Sequence, residues 1–213
     1  MSIVLPSAAA CAHGAAGAEN AGSAWPVQGA CRLEVVPPGH PERRSLEAFI
    51  AAEFARVYGA RVQHFCQTLA GCRDACGRWI AALGYTRARD GMLFLEQYLD
   101  LPVEAAIGAH AGGPVARADV VEVGNLAGAN VGAARALIVA MTRHLHQQGL
   151  VWVTFTATQA LLNSFARLRL VPTVLAPADP ARLGEAGRDW GSYYATRPQV
   201  MFGNIGFGHA QLA

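Results

Sequence analysis

The sequence predicts an α/β (α+β) fold, strands alternating with amphipathic helices that pack on a sheet. Three observations carry that expectation. Residues 119–158, DVVEVGNLAGANVGAARALIVAMTRHLHQQGLVWVTFTAT, read as strand, glycine-bearing polar loop, amphipathic helix and strand. Residues 159–175 then continue with a helical stripe of Leu161, Leu162, Phe165 and Leu168 and an extended segment after the break at Pro172. Upstream, Leu46, Phe49, Ile50, Phe54 and Val57 form one helical stripe over residues 45–59, with Gly59 as its stop and Ser45 as a candidate cap.

The remaining elements follow the same rules. CRLEVV, residues 31–36, is a short strand ended by Pro37, Pro38 and Gly39. Residues 60–69 carry Val62, Phe65 and Leu69 and are expected to pack as a second helical segment beside the first. Residues 78–85 read as a strand. Residues 92–104, MLFLEQYLDLPVE, fit a strand or a short helix and gather Glu96, Asp100 and Glu104 near Tyr98. Carboxylates in so apolar a setting either pair with arginines or belong to a site, and Glu96 is the candidate for the second role. A loop over residues 109–116 follows, and a last strand is expected at residues 200–205.

The 213 residues, 53% of them hydrophobic, suffice for one sizeable core. The first thirty, rich in Ala, Gly and Ser and without periodicity, read as a flexible extension (1–30) before a single domain (31–213). No Lys or Arg precedes Arg32, so a secretory signal is not expected, and no run approaches the ~20 apolar residues of a membrane span. The protein is therefore expected to be cytoplasmic. A formal charge of +2 without a basic run argues against nucleic acid as a partner. The chain contains no lysine, which excludes Schiff-base chemistry and a P-loop lysine. The five cysteines, 11, 31, 66, 72 and 76, lack paired zinc spacing and are read as thiols. His144 and His146 fall on different helix faces, so no metal site is expected.

Chemistry concentrates in the central block. Glu122 interrupts the apolar run Val120, Val121, Val123, and a buried carboxylate needs a partner, with Arg117, Arg135 or a substrate amine on offer. Asn125 follows where the strand should open. Gly124, Gly128 and Gly132 allow a ligand to approach the backbone closely, and a helix starting near Val131 would aim its N–H groups at an anionic or carbonyl group.

The motifs LFLEQYLD, VVEVGNLAG, FTAT, NSFARLRLVPTVLAPAD and WGSYY, in this order over roughly residues 60–204, resemble the thermostable hemolysin family. The order of elements also resembles the GNAT acetyltransferases and acyl-homoserine-lactone synthases. That resemblance implies a GNAT-like mixed central sheet flanked by helices on both faces, and transfer of an acyl group, a fatty one included, from a thioester to the amine of an amino acid or other small metabolite. No tightly bound cofactor is implied; the donor is a substrate, carried on coenzyme A or on an acyl carrier protein. Under it Glu122 recognises or deprotonates the amine, Asn125 orients a reactant, and backbone around Gly124 and Leu126 holds the carbonyl and oxyanion. Gly128, Asn130, Val131, Gly132 and Arg135 face the donor's phosphate. Glu96, Tyr98, Thr156 and Asn163 are further substrate contacts. The sequence departs from the pattern at Phe165, where many such enzymes place a tyrosine that protonates the leaving thiolate, and in a loop lacking the compact basic spacing of coenzyme A users. A carrier-protein donor, another general acid, or a scaffold that binds without turnover each accommodates that departure. A directly membrane-lytic protein is disfavoured, because the best helix has its apolar stripe accounted for by packing on the sheet.

Overall fold

The computed structural model describes residues 31–212, so the expected extension over residues 1–30 lies outside the described residues. In chain order the elements are β1 (Glu34–Val36), α1 (Arg43–Tyr58), β2 (Thr68–Arg73), β3 (Trp79–Arg87), α2 (Val103–Ala111), β4 (Val120–Gly128), α3 (Val131–Gln147), β5 (Trp152–Ala157), α4 (Gln159–Arg167), β6 (Thr173–Pro177), β7 (Gln199–Asn204) and α5 (Ile205–Leu212). The strands form one seven-stranded sheet in the order β1-β2-β3-β4-β5-β7-β6. Every neighbouring pair is antiparallel except β4 and β5, which run parallel across the α3 crossover.

Helices cover both faces, as the sequence predicts. On one, Leu137, Ile138, Met141 and Leu145 of α3 pack with Phe155, Leu161, Phe165 and Ile205 over Leu83, Val121 and Leu126. On the other, Leu46, Ile50 and Phe54 of α1 pack with Leu69, Trp190 and Tyr193. Beside them Leu95, Tyr98, Val103 and Ile107 close over Val120, Val200 and Phe202. The helix stripe read from 3.6-residue spacing is the buried face of α1 and α3.

Four local expectations are corrected. Residues 60–67 are not helical: Gly59 ends α1 at φ 65°, and the backbone donors beyond it are taken by tertiary acceptors. Arg61 N–H donates to Asp189 O at 2.6 Å, Cys66 N–H to Asn125 Oδ1 at 3.0 Å, and Gln67 N–H to Thr86 Oγ1 at 3.0 Å. The segment then enters β2, which the periodicity concealed. The helix α1 starts at Arg43 with Glu42 in the cap position, rather than at Ser45, whose hydroxyl donates to the Glu42 carbonyl. The glycine-bearing loop of residues 124–128 is strand, because the small residues Ala127 and Gly128 pair with Ala82 and Ala81 of β3. Finally, Cys31 and Cys72 are joined in a disulfide, so two of the five cysteines are not thiols. Residues 92–104 resolve into a short 3-10 turn over Phe94–Tyr98 and the start of α2, and the loop after α2 begins at Gly112.

Close packing of β2 and β3 depends on Gly84: a Cβ there would lie 2.5 Å from Cys66 Cβ and 2.9 Å from Leu69 Cδ2. Gly84→Ala is expected to cost about 1–3 kcal/mol by overpacking. Thermal unfolding should show it as a fall of roughly 2–4 °C per kcal/mol.

Candidate active site

The site is built where β4 leaves β5. The two strands pair only at Val120 with Trp152, Val121 with Val153 and Glu122 with Thr154. Beyond Glu122, β4 runs on to Gly128 and β5 to Ala157 without further pairing between them among the described residues. On its other edge β4 is bulged. The β3 register moves from Gly84 opposite Gly124 to Ala82 opposite Ala127, so Asn125 and Leu126 together oppose Leu83. A bulge of this kind leaves an extra residue outside the ladder, and Asn125 adopts the left-handed region at φ 52° to make it. Its buried side chain accepts from Cys66 N–H at 3.0 Å and donates to His64 O at 3.3 Å, fixing the segment after α1 against the sheet.

Glu122 sits at the point of separation, 1% exposed. Its Oε2 accepts a 2.8 Å hydrogen bond from Phe94 N–H. Arg117, one of the arginines offered by the sequence as its partner, is committed elsewhere. Burial pushes the Cys66 thiol up to about 12, with the Glu122 charge adding to the effect. Burial also raises Tyr98, helped by Tyr194 and then by Glu122. The Tyr98 and Tyr194 hydroxyls are 2.6 Å apart, and burial lifts Tyr194 to about 12. An aromatic wall closes the space: His64 stacks on Phe94 at 5.5 Å, Phe94 meets Trp190 at 6.0 Å, and Trp190 meets Tyr193 at 5.7 Å. Thr156 shares this face of the sheet by strand alternation, since Val153, Phe155 and Ala157 point into the opposite core. Its hydroxyl is fully buried and has no hydrogen-bond partner.

Across the sheet lies an apolar cavity of about 110 Å³. Val123 and Leu126 of β4, Val153 and Phe155 of β5, Ile138, Met141 and Leu145 of α3, and Phe165 of α4 line it, among others. Phe165 packs edge-on against Phe155 at 5.1 Å, so an aromatic ring without a hydroxyl stands at this position. Beyond the end of β4, Asn130 caps α3, accepting from Ala133 N–H at 2.8 Å. Val131 and Gly132 start that helix, and Arg135 lies one turn on with its Nε buried and without a partner. Gly128 has no room for a side chain: a Cβ would meet Ala134 Cβ at 2.9 Å.

Glu122 and Tyr98 are thus brought near one another, with Thr156 on the same face of the sheet; Gly124 and Asn125 follow Glu122 along β4, Leu126 lines the cavity on the other face, and Gly128, Asn130, Val131, Gly132 and Arg135 stand at the end of β4 and the start of α3. Two others stand apart. Asn163 is on the exposed side of α4, bonded to Gln159 Nε2 at 3.2 Å. Glu96 belongs to the scaffold: its oxygens accept from Leu93 N–H at 2.7 Å and Val103 N–H at 3.0 Å, and both meet Arg117. Arg117 also binds Glu104 at 2.7 Å, and Asp100 pairs with Arg182, so all three carboxylates of that stretch hold arginines. The sequence reading missed the aromatic wall. Its signal was present in WGSYY, a dense aromatic run whose spacing fits neither a helix nor a strand face.

A parallel strand pair that parts at a buried carboxylate, within a seven-stranded mixed sheet covered by helices on both faces, defines a GNAT-like fold. The chain belongs to the thermostable hemolysin family, whose model matches residues 36–209. No curated protein matches it in sequence. Among solved structures it is similar to TofI, at 15% identity and a TM-score of 0.57 over 85% of this chain and 95% of that one. MesI, a CoA-dependent acyl-homoserine lactone synthase, aligns at 10% identity and a TM-score of 0.55, covering 85% and 93%. FeeM, an N-acyl amino acid synthase from uncultured soil microbes, gives 14% and 0.54, covering 84% and 98%. These likenesses are of fold.

Burial raises the Glu96 carboxyl, but the bonds from Arg117, Val103 N–H and Leu93 N–H outweigh it and hold the group below its usual 4.5. A lowered folded value means that the unfolded chain binds the proton first, so this stability is present above pH 4.5 and lost as pH falls through the folded value. Arg117→Gln should lower stability at neutral pH by about 2 kcal/mol or more. Thermal melts against pH should also show a shallower loss below 4.5 than in the unaltered protein.

Proposed function

We propose that the protein transfers an acyl group, including a fatty one, from a thioester to the amine of a small metabolite or amino acid. The observation that carries this reading is the opening between β4 and β5, with a buried carboxylate and aromatic wall on one face and an apolar cavity on the other. The amine enters beside Glu122, which takes a proton from its ammonium form. The free amine attacks the thioester carbonyl, and the tetrahedral oxyanion lies against β4 backbone at the bulge, where Asn125 fixes the geometry. Collapse breaks the carbon–sulfur bond, and the second amine proton passes to the leaving sulfur. The acyl chain occupies the cavity, and the donor's phosphate faces Asn130, Val131 and Gly132 at the start of α3, with Arg135 one turn on.

The donor is coenzyme A or an acyl carrier protein, and the absence of a hydroxyl at Phe165 favours the carrier protein or a proton route other than that residue; Thr156 of β5, its hydroxyl buried without a partner, is a candidate to relay the second amine proton to the sulfur. The reading puts the protein in the cytoplasm, where such thioesters are made. No helix among the described residues is long and apolar enough to cross a membrane. The Phe165 ring also favours a second reading, a scaffold that binds acyl thioesters without turning them over.

Glu122→Gln keeps the side-chain volume and removes the base. With purified protein, acyl thioesters on both carriers and a panel of amines, kcat should fall by about 10²-fold or more. Mass spectrometry of cells expressing the unaltered chain should find an acyl-amine that the variant does not make; equal amounts in both would remove Glu122 from the mechanism. Thioester binding without product from any amine would favour the scaffold. Ile138→Phe, which fills the cavity, should shift the product distribution toward shorter acyl chains, read by the same method.

A further inference from the structure

The apolar cavity reaches the surface where α3, α5 and the turn between α4 and β6 meet. A Cβ on Gly208 of α5 would lie 3.6 Å from Leu170 Cδ2 and 3.7 Å from Thr142 Cγ2, which places these three elements side by side. Thr142, Leu170, Val171, Pro172, Phe207 and Gly208 all line the cavity at this end. Two of them project into water as well: Val171 is 84% exposed and Phe207 57%. Large hydrophobic side chains at the lip of an apolar cavity are a costly arrangement in solution and a natural one at an interface.

The charge around the lip is of one sign. Residues 123–178, which supply α3, β5, α4 and β6, contain no Asp or Glu, and neither do residues 190–212, which supply β7 and α5. The same stretches contain Arg135, Arg143, Arg167, Arg169 and Arg197. Arg143, Arg167 and Arg169 are exposed, and each neighbours the lip. Arg143 follows Thr142 and reaches the Leu212 carbonyl of α5, while Arg167 and Arg169 flank the run into Leu170 and Val171. By contrast, the C-terminal acids Asp179, Glu185 and Asp189 lie in the segment over Pro180–Trp190 and its cap, which packs on the opposite face.

We infer that this face docks on an anionic lipid bilayer, with Phe207 and Val171 inserted at the headgroup level and the three arginines on lipid phosphates. Exposed aliphatic and aromatic side chains among arginines, with no carboxylate on the elements that carry them, suit a surface that is apolar below and anionic above. A soluble acidic protein would match the arginines and leave Phe207 and Val171 unexplained. The docking surface stands without the acyl-transfer reading. Where that reading holds, the cavity opens directly into lipid, so an acyl-amine product leaves without crossing water.

The test is sedimentation of the full chain with mixed phosphatidylcholine and phosphatidylglycerol vesicles and with phosphatidylcholine vesicles alone. Binding to the mixed vesicles, weakened by high salt, and little to the neutral ones is expected. Arg143→Glu/Arg167→Glu should lower vesicle affinity by about tenfold or more. Its thermal transition and its acyl transfer in detergent-free solution should stay unchanged. Phe207→Asp should lose vesicle binding even at low salt. Absence of binding to mixed vesicles, or equal binding by these variants, overturns the inference. So does loss of carrier-protein use by the arginine variant without any vesicle binding, which assigns the face to that protein. Self-association relieved by Phe207→Asp, again without vesicle binding, assigns it to a second copy. A chain that binds vesicles but transfers no acyl group would fail the proposed activity and leave the docking surface intact.

Discussion

The bulge at Asn125 is the constraint on which the site depends. A regular β4 would keep pairing with β3 residue for residue and present alternate side chains to each face. The extra residue breaks that alternation, so Val121 and Val123 face the α3 core before it and Leu126 faces the same core after it. Asn125 itself takes a backbone conformation uncommon for any residue but glycine, at a cost of order 1–3 kcal/mol. Its two hydrogen bonds to the segment after α1 offset that cost and tie the bulge to residues 64–66. Asparagine suits the position for two reasons: it tolerates left-handed backbone better than most side chains, and its amide supplies one donor and one acceptor to a single turn of chain.

The parting of the strands follows from the same region and separates two kinds of chemistry. On the α1 face the groups are a buried carboxylate, tyrosine hydroxyls raised by burial and an aromatic wall; on the α3 face they are aliphatic. Glu122 can be carried there because it accepts from a backbone N–H beside it, and because that N–H belongs to Phe94, in the turn held by the Arg117 clamp. The clamp therefore acts at a distance from the gap. It fixes the 3-10 turn, the turn fixes the amide that Glu122 meets, and Tyr98 at the end of that turn meets Tyr194.

The sequence was legible where periodicity is long. The stripes of α1 and α3 and the strand, helix, strand order from Val120 to Arg167 emerged directly, because side-chain spacing reports which face is buried. It was misleading where tertiary acceptors replace local ones. Residues 60–67 carry helix-compatible apolar spacing, yet their N–H groups bond to Asp189, Asn125 and Thr86, partners that no local window contains. GNLAG reads as loop by composition, and only the pairing of Ala127 and Gly128 with β3 makes it strand. Within the site, Glu122 stood out as a carboxylate in an apolar run. Glu96 stood out for the same reason and proved to be a clamp residue, since sequence marks a buried charge without telling which arginine waits for it. The wall of Phe94, Trp190, Tyr193 and Tyr194 joins segments about a hundred positions apart, and no spacing rule connects them.

Phe165 has a meaning that the geometry sharpens. A tyrosine there would place a hydroxyl against Phe155, among the side chains that line the cavity. Burying an unpaired hydroxyl in such surroundings costs free energy, and phenylalanine removes that cost while enlarging the apolar lining. The hydroxyl-bearing side chains Thr156, Tyr98 and Tyr194 lie instead on the opposite face of the sheet, the one that carries Glu122. Under the proposed acyl transfer, proton transfer and chain binding would be divided by the sheet itself, one on each side of the gap. On that proposal the proton of the leaving sulfur comes from a group other than residue 165, and the phenylalanine keeps the lining of the cavity apolar.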